Sequence, residues 1–256
     1  MVPDVRQDGG VTGLEVAMIV GASALGALVK GVTGMGYPLL AVPLLSLVIG
    51  VEEAVVIVAA PNLAANVYLC WEARAARSAA RDLGRMLVAG LTGAVVGTMA
   101  LVSLPEEPLL IALAVTIVAF VVLFFREPDL RLSEATSARW SPVAGAMAGL
   151  MQGAVGVSGP VVATWLHGYR LPKTTYVYSI TMLFAATGAT QLVVLLFQGA
   201  FDAELAVASM VAAVPVAVMI PVGLALRARL GGPAFERAVL AVLVVAATSL
   251  VVRVAS

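Results

Sequence analysis

Two short stretches hold the residues that could do chemistry. One is KGVTGMGYP, Lys30 to Pro38, and the other is QGAVGVSGP, Gln152 to Pro160. Both place glycines, a proline and polar side chains inside apolar sequence. Glycine permits backbone that is not helical and lets a ligand come close. Proline suits the first turn of a new helix, where its missing N–H costs nothing. Each stretch therefore reads as a helix break followed by a helix start. A helix N-terminus exposes unpartnered N–H groups and the positive end of a dipole, which together bind anions.

The candidate substrate-binding residues follow from that reading. They are Lys30, Gly31, Thr33, Gly34, Gly36 and Tyr37 in the first stretch, and Gln152, Gly153, Gly156, Ser158 and Gly159 in the second. Asn62 and Asn66 join them, four residues apart on one helix face just after Pro61. Ser179, Thr187, Thr190 and Gln191 lie on the corresponding span in the second half. A lysine inside a membrane segment costs about 2.5–3.5 kcal/mol on insertion scales. Lys30 is thus either a countercharge to an anionic substrate or a side chain whose stem snorkels to an interface. His167, the only histidine, is either a proton relay or an interfacial residue. One histidine and one cysteine give poor support to zinc chemistry or a Ser-His-Asp hydrolase, so the reading is of a protein that is not an enzyme and uses no cofactor.

The elements that must position these residues are membrane helices. The 256-residue chain is 61% hydrophobic and 12% charged, with mean hydropathy +1.05; soluble domains carry about 25% charge. The apolar runs are continuous, without the alternation of a barrel, so an all-α integral membrane protein is expected. Spans are expected at Ala54–Trp71, Met86–Leu104, Leu109–Phe125, Thr174–Phe197, Leu205–Leu226 and Pro233–Val252. The regions 13–50 and 141–168 are irregular. Each is a helix pair, a re-entrant hairpin, or a span plus a half-span. Asp4 and Asp8 outweigh Arg6, so the first apolar segment reads as retained rather than as a signal peptide.

Charge orients the spans. Of fifteen Lys and Arg, twelve lie in four loops: Arg74, Arg77, Arg81 and Arg85; Arg126, Arg131 and Arg139; Arg170 and Lys173; Arg227, Arg229 and Arg237. The alternate loops carry Glu52 and Glu53, Glu106 and Glu107, and Asp202 and Glu204. The basic loops are assigned to the cytoplasm and both termini to the outside, with Trp71 and Trp140 as interfacial anchors. Arg74, Arg77, Arg81 and Arg85 are spaced like one face of a helix lying on anionic headgroups.

LVKGVTGMGYPLLA (Leu28–Ala41) aligns without a gap on LMQGAVGVSGPVVA (Leu150–Ala163), an offset of 122 residues from Gly31 to Gly153. Leu28, Gly31, Gly34, Pro38 and Ala41 recur as Leu150, Gly153, Gly156, Pro160 and Ala163. The charge pattern sends the span after each motif in opposite directions. The expected architecture is therefore two inverted-topology repeats, each a Gly/Pro-broken helix pair or re-entrant hairpin followed by three spans. The parts are a tail, 1–12; a first transmembrane repeat, 13–125; a cytoplasmic linker, 126–140; and a second repeat, 141–256. Such repeats point to a secondary transporter with its site near the midplane. The sequence holds no GxxxxGK[ST] loop. The partners expected are a small anion and membrane lipid, with protons or another ion left open as the coupling ion, and no nucleic acid. A passive anion channel, or a permease for another small anion, is the alternative.

The break running into GYPLLAVPLL, its repeat in GVSGPVVATWLHG, the basic loop after the next span and the overall length resemble the sulfite exporter TauE/SafE family across essentially the whole chain. That resemblance implies transport of sulfite or small organosulfur anions, such as sulfonates and sulfoacetate, across the bacterial inner membrane. It implies motif roles for Gly31, Gly34, Gly36, Pro38 and Pro43, then Gly153, Gly156, Gly159 and Pro160. This sequence departs at Met35, Val157 and Ser158, where a denser glycine run is common, and at Trp165, where Pro43 has no counterpart.

Overall fold

The computed structural model describes residues 13–126, 131–230 and 233–255. It is all helical among the described residues. In order come α1 (Gly13–Thr33), α2 (Tyr37–Ile49), α3 (Val51–Glu72), a 3₁₀ turn (Arg74–Ala79), α4 (Leu83–Ser103) and α5 (Glu106–Arg126). There follow α6 (Glu134–Val155), α7 (Gly159–His167), α8 (Lys173–Phe197), α9 (Ala203–Leu230) and α10 (Pro233–Ala255). Six of them, α1, α3, α4, α5, α8 and α9, are long and apolar enough to cross a membrane. Their outward faces are apolar too: Val88, Val115 and Val214 are all more than half exposed. Lipid, not water, satisfies such a surface.

The two irregular regions each resolve into a long helix and a short one. At 1.5 Å per residue, α1 and α6 are about 31–33 Å long, whereas α2 and α7 are about 20 and 14 Å. The glycines of the motifs make the breaks. Gly34 and Gly36 stand at φ +90 and +117°, and Gly156 at +70°, where a side chain is strained. Pro38 and Pro160 fall in the first turns of α2 and α7. The last turn before each break closes on the same bond: Gly34 N–H donates to Lys30 O (2.7 Å) and Gly156 N–H to Gln152 O (2.9 Å).

Every helix of 13–126 has a counterpart close to 122 residues later. Packing follows the same exchange: α1 lies on α9 as α6 lies on α4, while α3 meets α8 and α5 meets α10. Gly31 and Gly153, paired in the sequence, do the same work in these crossings. A Cβ on Gly31 would stand 2.8 Å from Gly223 Cα on α9, and one on Gly153 would stand 2.5 Å from Thr98 N on α4. Along the α4–α6 crossing, Gly90, Gly93, Gly97, Gly145 and Gly149 each press against the backbone of the other helix. Small residues allow this approach, and dispersion then holds helices that lipid alone would not drive together.

Two expectations change. The arginines Arg74 to Arg85 do not share a helix face. The 3₁₀ turn ends at Ala79, Asp82 takes the left-handed conformation (φ 52°), and Arg85 belongs to α4. Arg81 donates to Ser137 Oγ (2.6 Å) and Arg85 to Ala138 O (3.0 Å), so both bind the start of α6. In addition, α6 begins at Glu134, inside the stretch read as linker. Ser133 caps it, its Oγ accepting from Thr136 N–H at 3.1 Å.

Candidate functional site

The N-terminal ends of α2 and α7 line one small chamber with Lys30, Asn62, Gln152 and Phe184. Neither end carries a side-chain cap. The amides of the first turn therefore have no intrahelical acceptor. The chamber measures about 20 Å³, room for one or two waters. Met35, Gly36, Pro38 and Leu39 wall one side, and the run Gly156 to Gly159 walls the other. Among the described residues, no Asp, Glu or His lines it.

Lys30 is the charge of the chamber. It lies 1% exposed, near the end of α1 and about 26 Å from the helix start. The snorkelling alternative does not describe this side chain. Its ammonium donates to Asn66 Oδ1 at 2.6 Å and Asn62 Oδ1 at 3.3 Å, and faces the Phe184 ring at 5.7 Å. Asn66 Nδ2 also donates to Asn62 Oδ1 (3.3 Å). Asn62 Oδ1 thus accepts two bonds, and the Asn62 side chain lines the chamber. Asn66, fully buried, stands behind Lys30 and holds it in place. The four-residue spacing read from the sequence is what lets two amides share one ammonium.

The second half answers with amides instead of charge. Gln191 Nε2 donates to the Gln152 and Gly153 carbonyls (2.7 and 3.3 Å), which end α6. Gln191 Oε1 accepts from Gln152 Nε2 (3.0 Å), and Gln152 Oε1 accepts from Ser158 Oγ (3.0 Å). The backbone carbonyls set the polarity of the whole chain. The Ser158 proton is spent on Gln152, so Ser158 offers the chamber lone pairs.

The structure gathers Lys30, Gly36, Asn62, Gln152, Gly156, Ser158 and Gly159 at one place. Thr33 does not join them: its Oγ1 donates to the Val29 and Met35 carbonyls and braces the break. Tyr37 is buried against α1, its hydroxyl 3.3 Å from Ser23 Oγ. Gly31 and Gly153 face other helices, as above, and Gly34 shapes the turn. Sequence reasoning missed Phe184 and did not select Gln191. Phe184 is the counterpart of Asn62 at the 122-residue offset, which is the signal that points to it.

A wide cavity of about 710 Å³ adjoins the chamber and shares Met35, Gly36 and Leu39 with it. Its walls are α7, α5 and α10, and its rim holds His167 and Arg170, both exposed. The opposite side is filled. Ala41, Val42, Leu45, Leu113 and Ile117, counterparts of the cavity residues Ala163, Thr164, His167, Phe235 and Val239, are 0–1% exposed. At the far end Arg253 donates to Ser46 O (2.6 Å) and pairs with Glu106 (3.0 Å), tying α10 to α2 and α5. At the basic end Trp165 Nε1 donates to Tyr169 Oη (2.7 Å), which donates to Asp82 Oδ2 (3.3 Å). Burial, with the Asp82 charge adding to it, pushes the Tyr169 phenol up to about 12.

Fold and site together define a multi-pass helical membrane protein with a buried polar chamber between two half-length helices. The model of the sulfite exporter TauE/SafE family matches residues 19–250, and the chain belongs to that family. It is a family of membrane transporters, not of enzymes. No curated protein and no solved structure matches the chain.

Proposed function

We propose that the protein is a secondary transporter of small sulfur oxyanions, such as sulfite, sulfonates and sulfoacetate, in the bacterial inner membrane. The anion binds near the midplane between the N-terminal ends of α2 and α7, opposite Lys30. One observation carries this reading: a buried ammonium whose partners among the described residues are neutral, in the chamber that both uncapped helix ends line. Buried charge is costly unless it is paired, and an oxyanion would supply the missing charge and accept from the amides. The two halves form an inverted repeat, with both termini outside. Support comes from the charges at equivalent helix ends: α3 begins with Glu52 and Glu53, whereas α8 begins with Lys173. The filled far side favours a carrier over a channel. The test is counterflow of labelled sulfite or methanesulfonate in liposomes. Saturable exchange, abolished by Lys30→Met, is expected; unchanged exchange in that variant would sink the site assignment.

A further inference from the structure

We infer that Lys30 also carries the coupling proton, so that a monovalent anion crosses together with one H⁺ and the empty carrier returns with a neutral amine. This rests on the transporter reading above and adds the coupling ion and the group that binds it.

Lys30 Nζ gives hydrogen bonds to Asn66 and Asn62. An ammonium has three N–H groups and an amine has two. Both amide acceptors are therefore satisfied in either state. The group that changes is the third valence, left for the chamber that Lys30 lines. Protonated, it is an N–H that meets an anion; deprotonated, it is a lone pair in a chamber without charge.

The surroundings hold no substitute charge. Facing Lys30 are Asn62 and Asn66 from α3, Phe184 from α8, and Gln152 and Ser158 from the second break. Tyr37 of α2 turns to Ser23. From α9 the Arg227 guanidinium would lie 3.9 Å from a Cβ on Gly34, one turn beyond Lys30. His167 and Arg170 stand at the rim of the wide cavity. Among the described residues, no carboxylate lines the chamber to hold the ammonium when the anion leaves. An unpaired ammonium is an expensive passenger for a step across lipid. The step balances simply: the Nζ lone pair takes H⁺ from water in the wide cavity, the anion binds beside it, and both leave to water on the opposite side.

Methanesulfonate, a strong acid's anion that carries no proton itself, is the probe. The purified protein is placed in liposomes with a pH dye inside. Counterflow of labelled methanesulfonate is measured alongside net uptake. Net uptake should acidify the interior with one H⁺ per anion, follow the pH gradient and ignore an imposed membrane potential. Lys30→Arg, permanently charged, should keep counterflow while net uptake falls about a hundredfold, since the empty carrier cannot return. Counterflow without proton movement in the natural protein would overturn the inference, and that measurement needs no variant. So would Lys30→Arg coupling protons as the natural protein does. Absence of methanesulfonate counterflow overturns it as well; if sulfite still exchanges, the transporter reading stands, and if neither anion does, both fall.

Discussion

Gly149→Ala adds one methyl group where α4 and α6 cross, and the structure sets its consequence. The new Cβ would overlap the Gly90 carbonyl oxygen and stand 2.8 Å from both Ala94 N and Gly90 C. Ordinary contact begins near 3.4 Å, so clearing those two atoms alone would part the helices by about 0.6 Å, and clearing the carbonyl oxygen by more. Every obstacle is backbone, which cannot rotate away. Overpacking costs about 1–3 kcal/mol where neighbours can yield, and more where they cannot. Against this, alanine gains about 1 kcal/mol over glycine in a helix. A net loss of about 2 kcal/mol or more is expected. Gly188→Ala is the control, because nothing lies within 4 Å of its Cβ position; it should gain about 0.5–1 kcal/mol. Unfolding of both variants by SDS titration in mixed micelles reads the difference. Opposite signs support the crossing. A Gly149→Ala variant as stable as Gly188→Ala would refute it, and with it the position of Gln152, three residues further along α6.

Gln191→Leu leaves the carbonyls of Gln152 and Gly153 without their side-chain donor and should destabilise the protein by about 1–3 kcal/mol, with sulfite binding weakened more than in Thr190→Val; equal effects in the two variants would contradict the network. Glu106→Gln removes the carboxylate that holds Arg253 and should raise labelling of a cysteine placed at Leu45 by a membrane-impermeant reagent, whereas protection equal to that in the natural background would deny Arg253 a closing role. The Tyr169 phenol is pushed up to about 12, so its stabilising share is present below pH 10 and is lost as pH rises through 12. The melting advantage of the natural protein over Tyr169→Phe should therefore shrink across that window; a constant difference would contradict the burial of this phenol.

The helix breaks were legible because their residues act locally. Gly34, Gly36 and Gly156 adopt positive φ, and Pro38 and Pro160 start helices, as their types require. Lys30, Asn62 and Asn66 stand out in the sequence as polar residues in apolar spans, but that both amides bind the lysine appears only in the packed structure. What failed depended on partners distant in the chain. Gly31 and Gly153 look like break glycines, yet their hydrogens face α9 and α4, which only the packed structure reveals. The start of α6 escaped because TSARWS is too polar to read as a span, although Ser133 and the arginines of the preceding loop anchor it. The arginine face failed at Asp82, whose left-handed backbone no helical spacing anticipates. Phe184 is apolar among apolar residues and carries no signal except its place opposite Asn62 in the repeat.

The central claim is that the chamber between the two helix breaks binds an anion through Lys30. Titration calorimetry with sulfite on the detergent-solubilised protein and on Lys30→Met tests it directly. Saturable binding by the natural protein and none by the variant, with both proteins folded by circular dichroism, is the predicted result. Equal affinity in the two proteins would contradict it.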